Sequence, residues 1–400
     1  MTKVAFGDVK TNNNLIDEKI VNNWQAPSAG SCHGRECRCH FIPPHIQQKI
    51  NEVTAEIRKE QIELHDKIIN DMRGLRSLLS REFEELESHK IFDFHKKSTQ
   101  EQGEALQLIY DANKSDKDLP GKKITHIKDS HDKDTVQAYN GGTSTFVFLK
   151  DIFKRDSINN RGMLIKSSVN FGENFNNAFW NRYQMVYGKG DGVFLHNLTH
   201  LDVVAHELGH GVTQYTVNFD YQGQSGALNE SLSDVYGSLV KQYTLKQNVE
   251  EADWKIGDDV VVAMGQCLRS MKNPGTAYDN AAMGKDPQPA SMDAYDNTTE
   301  DNDGVHINSG IPNKAFYVTC NSLGGNSWDK AAHIWHSTMS NFNVAENKHF
   351  DDIEPLSPTT NFEQFATRTV QIAGKLYGKE SQEQKAVIYA WNDVKVKADV

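Results

Sequence analysis

No run of this sequence is long and apolar enough to form a membrane-spanning helix, which would need about 20 consecutive apolar residues. The opening residues, Met1 to Asn14, also lack the apolar core of a secretory signal. Basic charge is short: 43 Lys and Arg stand against 54 Asp and Glu, a formal net charge of −11. A nucleic-acid partner calls for a basic face, so that class of function is argued against along with membrane spanning. Cysteine is sparse and odd in number, five in 400 residues, which speaks against a full disulfide framework. Cys32, Cys37 and Cys39 cluster with His33 and His40 at a spacing that fits no standard zinc module. They read as an ordinary part of the N-terminal segment, with a small metal site as the alternative. There is no internal repeat. What remains has a soluble composition, 38% hydrophobic and 24% charged, and enough length for two or three domains.

Against that plain background, residues 203–210 read Val-Val-Ala-His-Glu-Leu-Gly-His, and Glu230 follows inside Asn229-Glu-Ser-Leu-Ser-Asp234. Positions i and i+4 of a helix share one face, so His206 and His210 can turn imidazole nitrogens toward one ion. Glu207, one position round, reaches a water on that ion without ligating it. A catalytic zinc wants three protein ligands and an open position, and two His plus one carboxylate is a standard set. The histidine-rich pattern alone arises by chance in roughly one such chain in twenty. Its setting narrows that: Leu201, Val203, Val204, Ala205 and Leu208 form a buried helical stripe, and Asp234 lies one turn after Glu230.

A metzincin would carry Gly and His three and six residues after His210, where this chain has Thr213 and Thr216. A distant glutamate as third ligand resembles the gluzincins, and Asn-Glu-x-x-Ser-Asp at this distance resembles the thermolysin family. Further blocks match it in order: Asn176-Asn-Ala-Phe-Trp180, Gln184-Met-Val-Tyr-Gly188, Leu268-Arg-Ser-Met271 and Gly304-Val-His-Ile-Asn-Ser-Gly310. The resemblance covers about Leu108 to the C-terminus. Tyr221-Gln-Gly-Gln-Ser-Gly-Ala-Leu-Asn-Glu230 and Gly310-Ile-Pro-Asn313 look closer to the protealysin-type branch, which has short propeptides.

The resemblance implies an α+β, two-lobed protease, with an α+β N-terminal lobe and a mainly helical C-terminal lobe joined by the zinc-binding helix. It implies zinc on His206, His210 and Glu230, with Glu207 as general base. It also implies His306 and Tyr221 as donors to the developing oxyanion, with Asp301 orienting His306. Asp234 would hold the far nitrogen of His206. Asn177 and the Ala178 backbone would pair with the substrate main chain, and Arg269 with the carbonyl on the leaving-group side. Val203, Ile256 and Leu268 would line an apolar specificity pocket. The expected activity is therefore zinc-dependent endopeptidase cleavage of protein or peptide substrates, on the amino side of large apolar residues. An inactive binding protein would usually have lost the base or a ligand, and an exopeptidase would need a group for a free terminus that is not apparent. One departure concerns the family's double calcium site. Asp202, Asp253 and Asp258 remain acidic, but Lys241 and Lys255 stand where carboxylates are needed, and they are expected to replace the ions by pairing with the acids.

Four segments follow: a polar, poorly ordered tail at 1–36, a propeptide-like region at 37–104, an N-terminal catalytic lobe at 105–216 and a helical lobe at 217–400. Pro43-Pro44 enforces an extended entry, and a helix can start directly after it. Ile46, Ile50, Val53, Ile57, Ile62 and Leu64 open an amphipathic stretch that runs in charged helical pattern to about His89, read as part of an inhibitory prodomain, with a solvated or partner-binding helix as the alternative. Residues 96–105 suit an exposed processing linker. The chain is expected to be a zymogen, a monomer, and secreted without a typical signal peptide, the alternative being cytoplasmic.

Overall fold

The computed structural model describes residues 40–54 and 107–399. The tail, Cys32, Cys37 and Cys39, the continuation of the amphipathic stretch to His89 and the linker at 96–105 lie outside the described residues.

The first described piece bends at Phe41 and Ile42 and then turns into helix α1 (Pro44–Thr54). Proline suits a first helical position, because its fixed φ is helical and its missing N–H would have no partner there. Phe41, Ile42, Ile46 and Ile50 are fully buried in the main core of the molecule. The segment is thus docked as firmly as any internal element.

Strands β1 (Gln107–Asp111), β2 (Lys122–Lys123), β3 (Ile165–Phe171), β4 (Ala178–Trp180) and β5 (Met185–Gly188) form one sheet in the order β2-β1-β3-β5-β4. The inner strands β1, β3 and β5 run parallel, while β2 and β4 are antiparallel edges. Helix α2 (Lys133–Phe153) starts on an Asp132 side chain that accepts from the Thr135 N–H, the usual satisfaction of an orphan donor at a helix start.

Helix α3 (Leu201–Gln214) is buried from Asp202 to Thr213, so its polar residues must find partners inside. It packs on α2 and on α4 (Gly223–Leu245). Two glycines permit the closeness of the second contact. A Cβ at Gly237 would meet the Asp202 carbonyl oxygen at 2.9 Å, and one at Gly209 would meet the Ser233 backbone at 3.0 Å. That approach brings Glu230 of α4 over the histidines of α3.

The remainder is largely helical: α5 (Asp301–Asn308), α6 (Gly310–Leu323), α7 (Ala331–Ser340), α8 (Phe362–Tyr377) and α9 (Gln382–Asp393). Helix ends are set by caps such as the Asn361–Gln364 box, in which each residue's side chain bonds the other's backbone N–H. Asp301 to Gly304 instead form a left-handed turn, φ 52° to 74°, just before His306. Left-handed backbone costs about 1–2 kcal/mol per L-residue, and Asp, Asn and Gly bear it best, which is the composition found here.

Lys241 behaves as expected. Its Nζ lies 2.7 Å from Asp258, 3.1 Å from Asp253 and 4.0 Å from Asp202. Lys255 does not join them: its ammonium donates to the Gly265 carbonyl at 3.2 Å instead.

Candidate active site

The site forms where α3, α4 and α5 meet below the edge strand β4. His206 and His210 bring their Nε2 atoms to 3.1 Å of one another. The Glu230 carboxylate stands 3.5 Å from the first and 3.4 Å from the second. The opposite nitrogens are held away from this point. His206 Nδ1 faces Asp234 at 2.8 Å, and His210 Nδ1 faces Asn229 at 2.8 Å and the Ser233 hydroxyl at 2.9 Å. A carboxylate or amide oxygen accepts, so both Nδ1 atoms carry the proton and both Nε2 lone pairs converge. Glu230 Oε2 is buried without a hydrogen-bond partner.

Three buried acceptors gathered this closely repel unless a cation lies between them. Among the described residues this is the one group of His, Cys, Asp or Glu with metal-holding geometry. Tetrahedral zinc with nitrogen and oxygen at about 2.0–2.1 Å implies ligand-to-ligand edges of about 3.3 Å, which the observed separations approach. The residues present therefore fit the ion, and Glu207 is buried one position round the same helix.

Asp234 is shared by more groups than its sequence position reveals. Besides His206 it accepts from Arg269 Nε at 2.7 Å, Arg269 Nη2 at 2.7 Å and Asn313 Nδ2 at 2.8 Å. Burial alone would raise its pKa, but Arg269 and His206 outweigh that and hold the carboxyl well below its ordinary range. The same pairing lifts the Arg269 guanidinium far above its usual value despite burial. Arg269 belongs to a short hairpin of β6 (Lys255–Ile256) and β7 (Arg269–Ser270), which also delivers Ile256. Val203, Ile256 and Leu268 are all buried in the cluster that holds Phe41.

On the other wall, Asp301 binds His306 twice, Oδ1 to Nδ1 at 2.7 Å and Oδ2 to the backbone N–H at 2.8 Å. Burial disfavours charge on this imidazole, but Asp301 and Glu230 raise its pKa to about 9. It is a cation at neutral pH, with Nε2–H pointing into the cleft. The Tyr221 hydroxyl is bonded to Glu230 and lies 3.4 Å from His306 Nε2.

The cleft between these walls holds the segment before α1. His306 Nε2 donates to the His40 carbonyl at 2.6 Å. The Phe41 N–H donates to the Ala178 carbonyl at 3.2 Å, and Arg269 Nη1 donates to the Phe41 carbonyl at 3.0 Å. Ile42 pairs with the Asn177 amide, its N–H on Oδ1 at 3.0 Å and its carbonyl 3.5 Å from Nδ2. The Phe41 ring sits edge-on to His206 at 5.2 Å, under the Arg269 guanidinium at 5.0 Å. Of the candidate residues, His206, His210, Glu230, Asp234, Tyr221, Asp301, His306, Arg269, Asn177 and Ala178 meet around this cleft, while Val203, Ile256 and Leu268 are buried in the main core. Sequence reasoning missed Asn229, Ser233 and Asn313, whose signal was only their membership of the quoted blocks, and it missed the contacts of His40 to Ile42.

The thermolysin metallopeptidase family matches in two parts, its catalytic domain over residues 79–214 and its alpha-helical domain over residues 217–396. An "Extracellular metalloprotease" of Pectobacterium carotovorum subsp. carotovorum is 40% identical over 344 residues, 85% of this chain and 91% of that protein. A "Thermolysin" of Bacillus sp. (strain EA1) is 37% identical over 292 residues, 70% of this chain but 49% of that protein. Among solved structures, the precursor of protealysin, a metalloproteinase from Serratia proteamaculans, superposes with a TM-score of 0.73 at 38% identity, covering 90% of this chain and 99% of that one. The convergent histidines and glutamate, the sheet-plus-helical architecture and these matches agree. The chain belongs to the thermolysin metallopeptidase family, in its protealysin-type branch, and is a zinc endopeptidase made as a zymogen.

Proposed function

We propose that His206, His210 and Glu230 hold the zinc and that Glu207 is the general base of peptide hydrolysis. The observation that carries this reading is the convergence of three buried acceptors whose other atoms are already satisfied. When bound, the zinc activates a water and polarises the substrate carbonyl. This chain's own residues do the rest. Glu207 takes the proton from the attacking water and delivers it to the departing amine. His306, kept cationic by Asp301, donates to the carbonyl oxygen as charge builds there, with Tyr221 beside it. Asp234 fixes the tautomer of His206 and, through Arg269, the position of the carbonyl after the cut. Asn177 and Ala178 align the substrate main chain. Cleavage falls on the amino side of a large apolar residue, a reading supported by Val203, Ile256 and Leu268, buried in one apolar cluster with Phe41.

The segment ahead of α1 acts as an intramolecular inhibitor, supported by its occupation of the groups a substrate needs. The catalytic part is read as lobes at 105–216 and 217–400, preceded by a propeptide region at 37–104. Lys241 takes the place of a calcium ion, and the enzyme is secreted, in keeping with the extracellular relative. The test is Glu207→Gln. Turnover of a quenched peptide should fall about 10²–10⁴-fold while metal analysis still finds zinc; undiminished turnover would overturn the role of Glu207.

A further inference from the structure

His40, Phe41 and Ile42 lie in the cleft in the direction and register of a substrate. Two successive peptide units are specified. The His40 carbonyl meets His306, the Phe41 N–H and carbonyl meet Ala178 and Arg269, and the Ile42 N–H meets Asn177. Sliding the segment by one residue would break these pairings and withdraw the buried Phe41 ring from His206. The carbonyl that faces the oxyanion donor is the one open to attack, and the next amide nitrogen is the leaving group. Those two atoms are the carbonyl carbon of His40 and the nitrogen of Phe41. A blocking segment escapes cleavage most simply by running backwards through the cleft, and this one runs forwards.

We infer that the His40–Phe41 peptide bond is a self-cleavage site, cut within the molecule that carries it; this rests on the hydrolytic assignment made above. The step uses one water. Its oxygen bonds to the His40 carbonyl carbon, Glu207 moves its proton to the Phe41 nitrogen, and the C–N bond breaks. A carboxylate is left on His40 and an amine on Phe41. Residues 1–40 lose their covalent hold. The piece that starts at Phe41 keeps its bonds to Arg269 and Asn177 and its burial. It also keeps the 2.6 Å bond from His45 to the Tyr278 hydroxyl. The cut therefore trims the chain without emptying the cleft, and inhibition survives it.

The experiment follows the zinc-loaded full chain over days by intact mass and N-terminal sequencing, beside the Glu207→Gln variant. The expected product begins Phe-Ile-Pro-Pro, forms at a rate independent of chain concentration, and is absent from the variant. A rate that rises with concentration overturns cleavage in cis, and a His40–Phe41 bond that stays whole overturns self-cleavage altogether. In that second case, nicking residues 96–105 with trypsin separates the two claims. Casein hydrolysis by the nicked chain, once the piece before the nick has been separated from it, leaves the endopeptidase assignment standing, and an inert separated enzyme removes both. A readout without turnover is amide exchange in the zinc-free chain. Phe41 and Ile42 should be protected, with Ile42 exposed by Asn177→Ala; fast exchange at both in the unaltered chain overturns the register.

Discussion

Asp234 accepts from one edge of the Arg269 guanidinium, Nε and Nη2, at 2.7 Å each while its Oδ1 also holds the His206 imidazole. One buried carboxylate thus ties the residue that holds a peptide carbonyl to a residue placed to bind metal. Asp234→Asn keeps the shape but turns an amide N–H₂ toward donors. Losing one partner of a buried pair costs about 3–5 kcal/mol, and losing a ligand's outer partner weakens metal about 10–100-fold. The variant should therefore melt earlier and surrender zinc to a weaker chelator. Thermal unfolding and chelator competition measure the two losses separately, and an unchanged zinc affinity would confine Asp234 to holding Arg269.

Lys241 sits among Asp202, Asp253 and Asp258 with 12% of its side chain exposed. Burial opposes its charge, but the three carboxylates raise its pKa above the ordinary lysine value. Removing it in Lys241→Ala leaves three acids facing one another and should cost about 3 kcal/mol. Adding calcium should leave the melting temperature of the unaltered chain where it is and should restore part of the loss in the variant. A calcium-dependent unaltered chain would show that the ammonium has not taken the ion's place.

Much of this site was legible because its geometry is local. His206, Glu207 and His210 are one helical turn apart, Glu230 and Asp234 another, and Asp301 reaches His306 across five residues. What escaped notice is long-range. His306 meets His40 across 266 positions and Arg269 meets Asp234 across 35, and no periodicity records such meetings. Lys255 was misread for a related reason. Charge alone suggested a carboxylate partner, but on a half-buried side chain near the surface a nearby backbone oxygen competes well, since surface ion pairs are worth little. The zinc-binding helix and the helix after Pro43-Pro44 followed from pattern, while the close approach at Gly209 and Gly237 became visible only in three dimensions.

Docking of the inhibitory segment should weaken in mild acid. His45 is pushed down to about 4 by burial; Asp301 pulls the other way, and His306 and Arg269 add to the lowering. It hydrogen-bonds the buried Tyr278. A histidine with a depressed pKa when docked binds its proton better when released. Docking is therefore full above the free value near 6.5 and declines as pH falls toward 4. At pH 5 the loss is about 2 kcal/mol, roughly 30-fold. Exchange protection of the Ile42 amide, corrected for intrinsic rate, should follow that curve, and His45→Gln should flatten it. A curve that keeps its slope in the variant would place the sensitivity elsewhere.

Phe41 should account for most of the inhibition. Its ring is fully buried between His206 and Arg269, and its backbone makes two of the hydrogen bonds that mimic substrate. Phe41→Ala keeps those backbone bonds and removes the ring, at a cost of about 3 kcal/mol or somewhat more. Because the segment is tethered, it competes at an effective concentration of about millimolar, which no added substrate easily matches. While the docked form dominates, a docking loss of that size raises the open fraction by about 10²-fold. Freshly purified, uncut Phe41→Ala chain should therefore hydrolyse a quenched peptide about 10²-fold faster than the unaltered chain, with both reaching the same rate once the segment is removed by limited proteolysis. Equal initial rates would mean that the ring fills the cleft without closing it, and that the block lies in the backbone pairing of His40 and Ile42 alone.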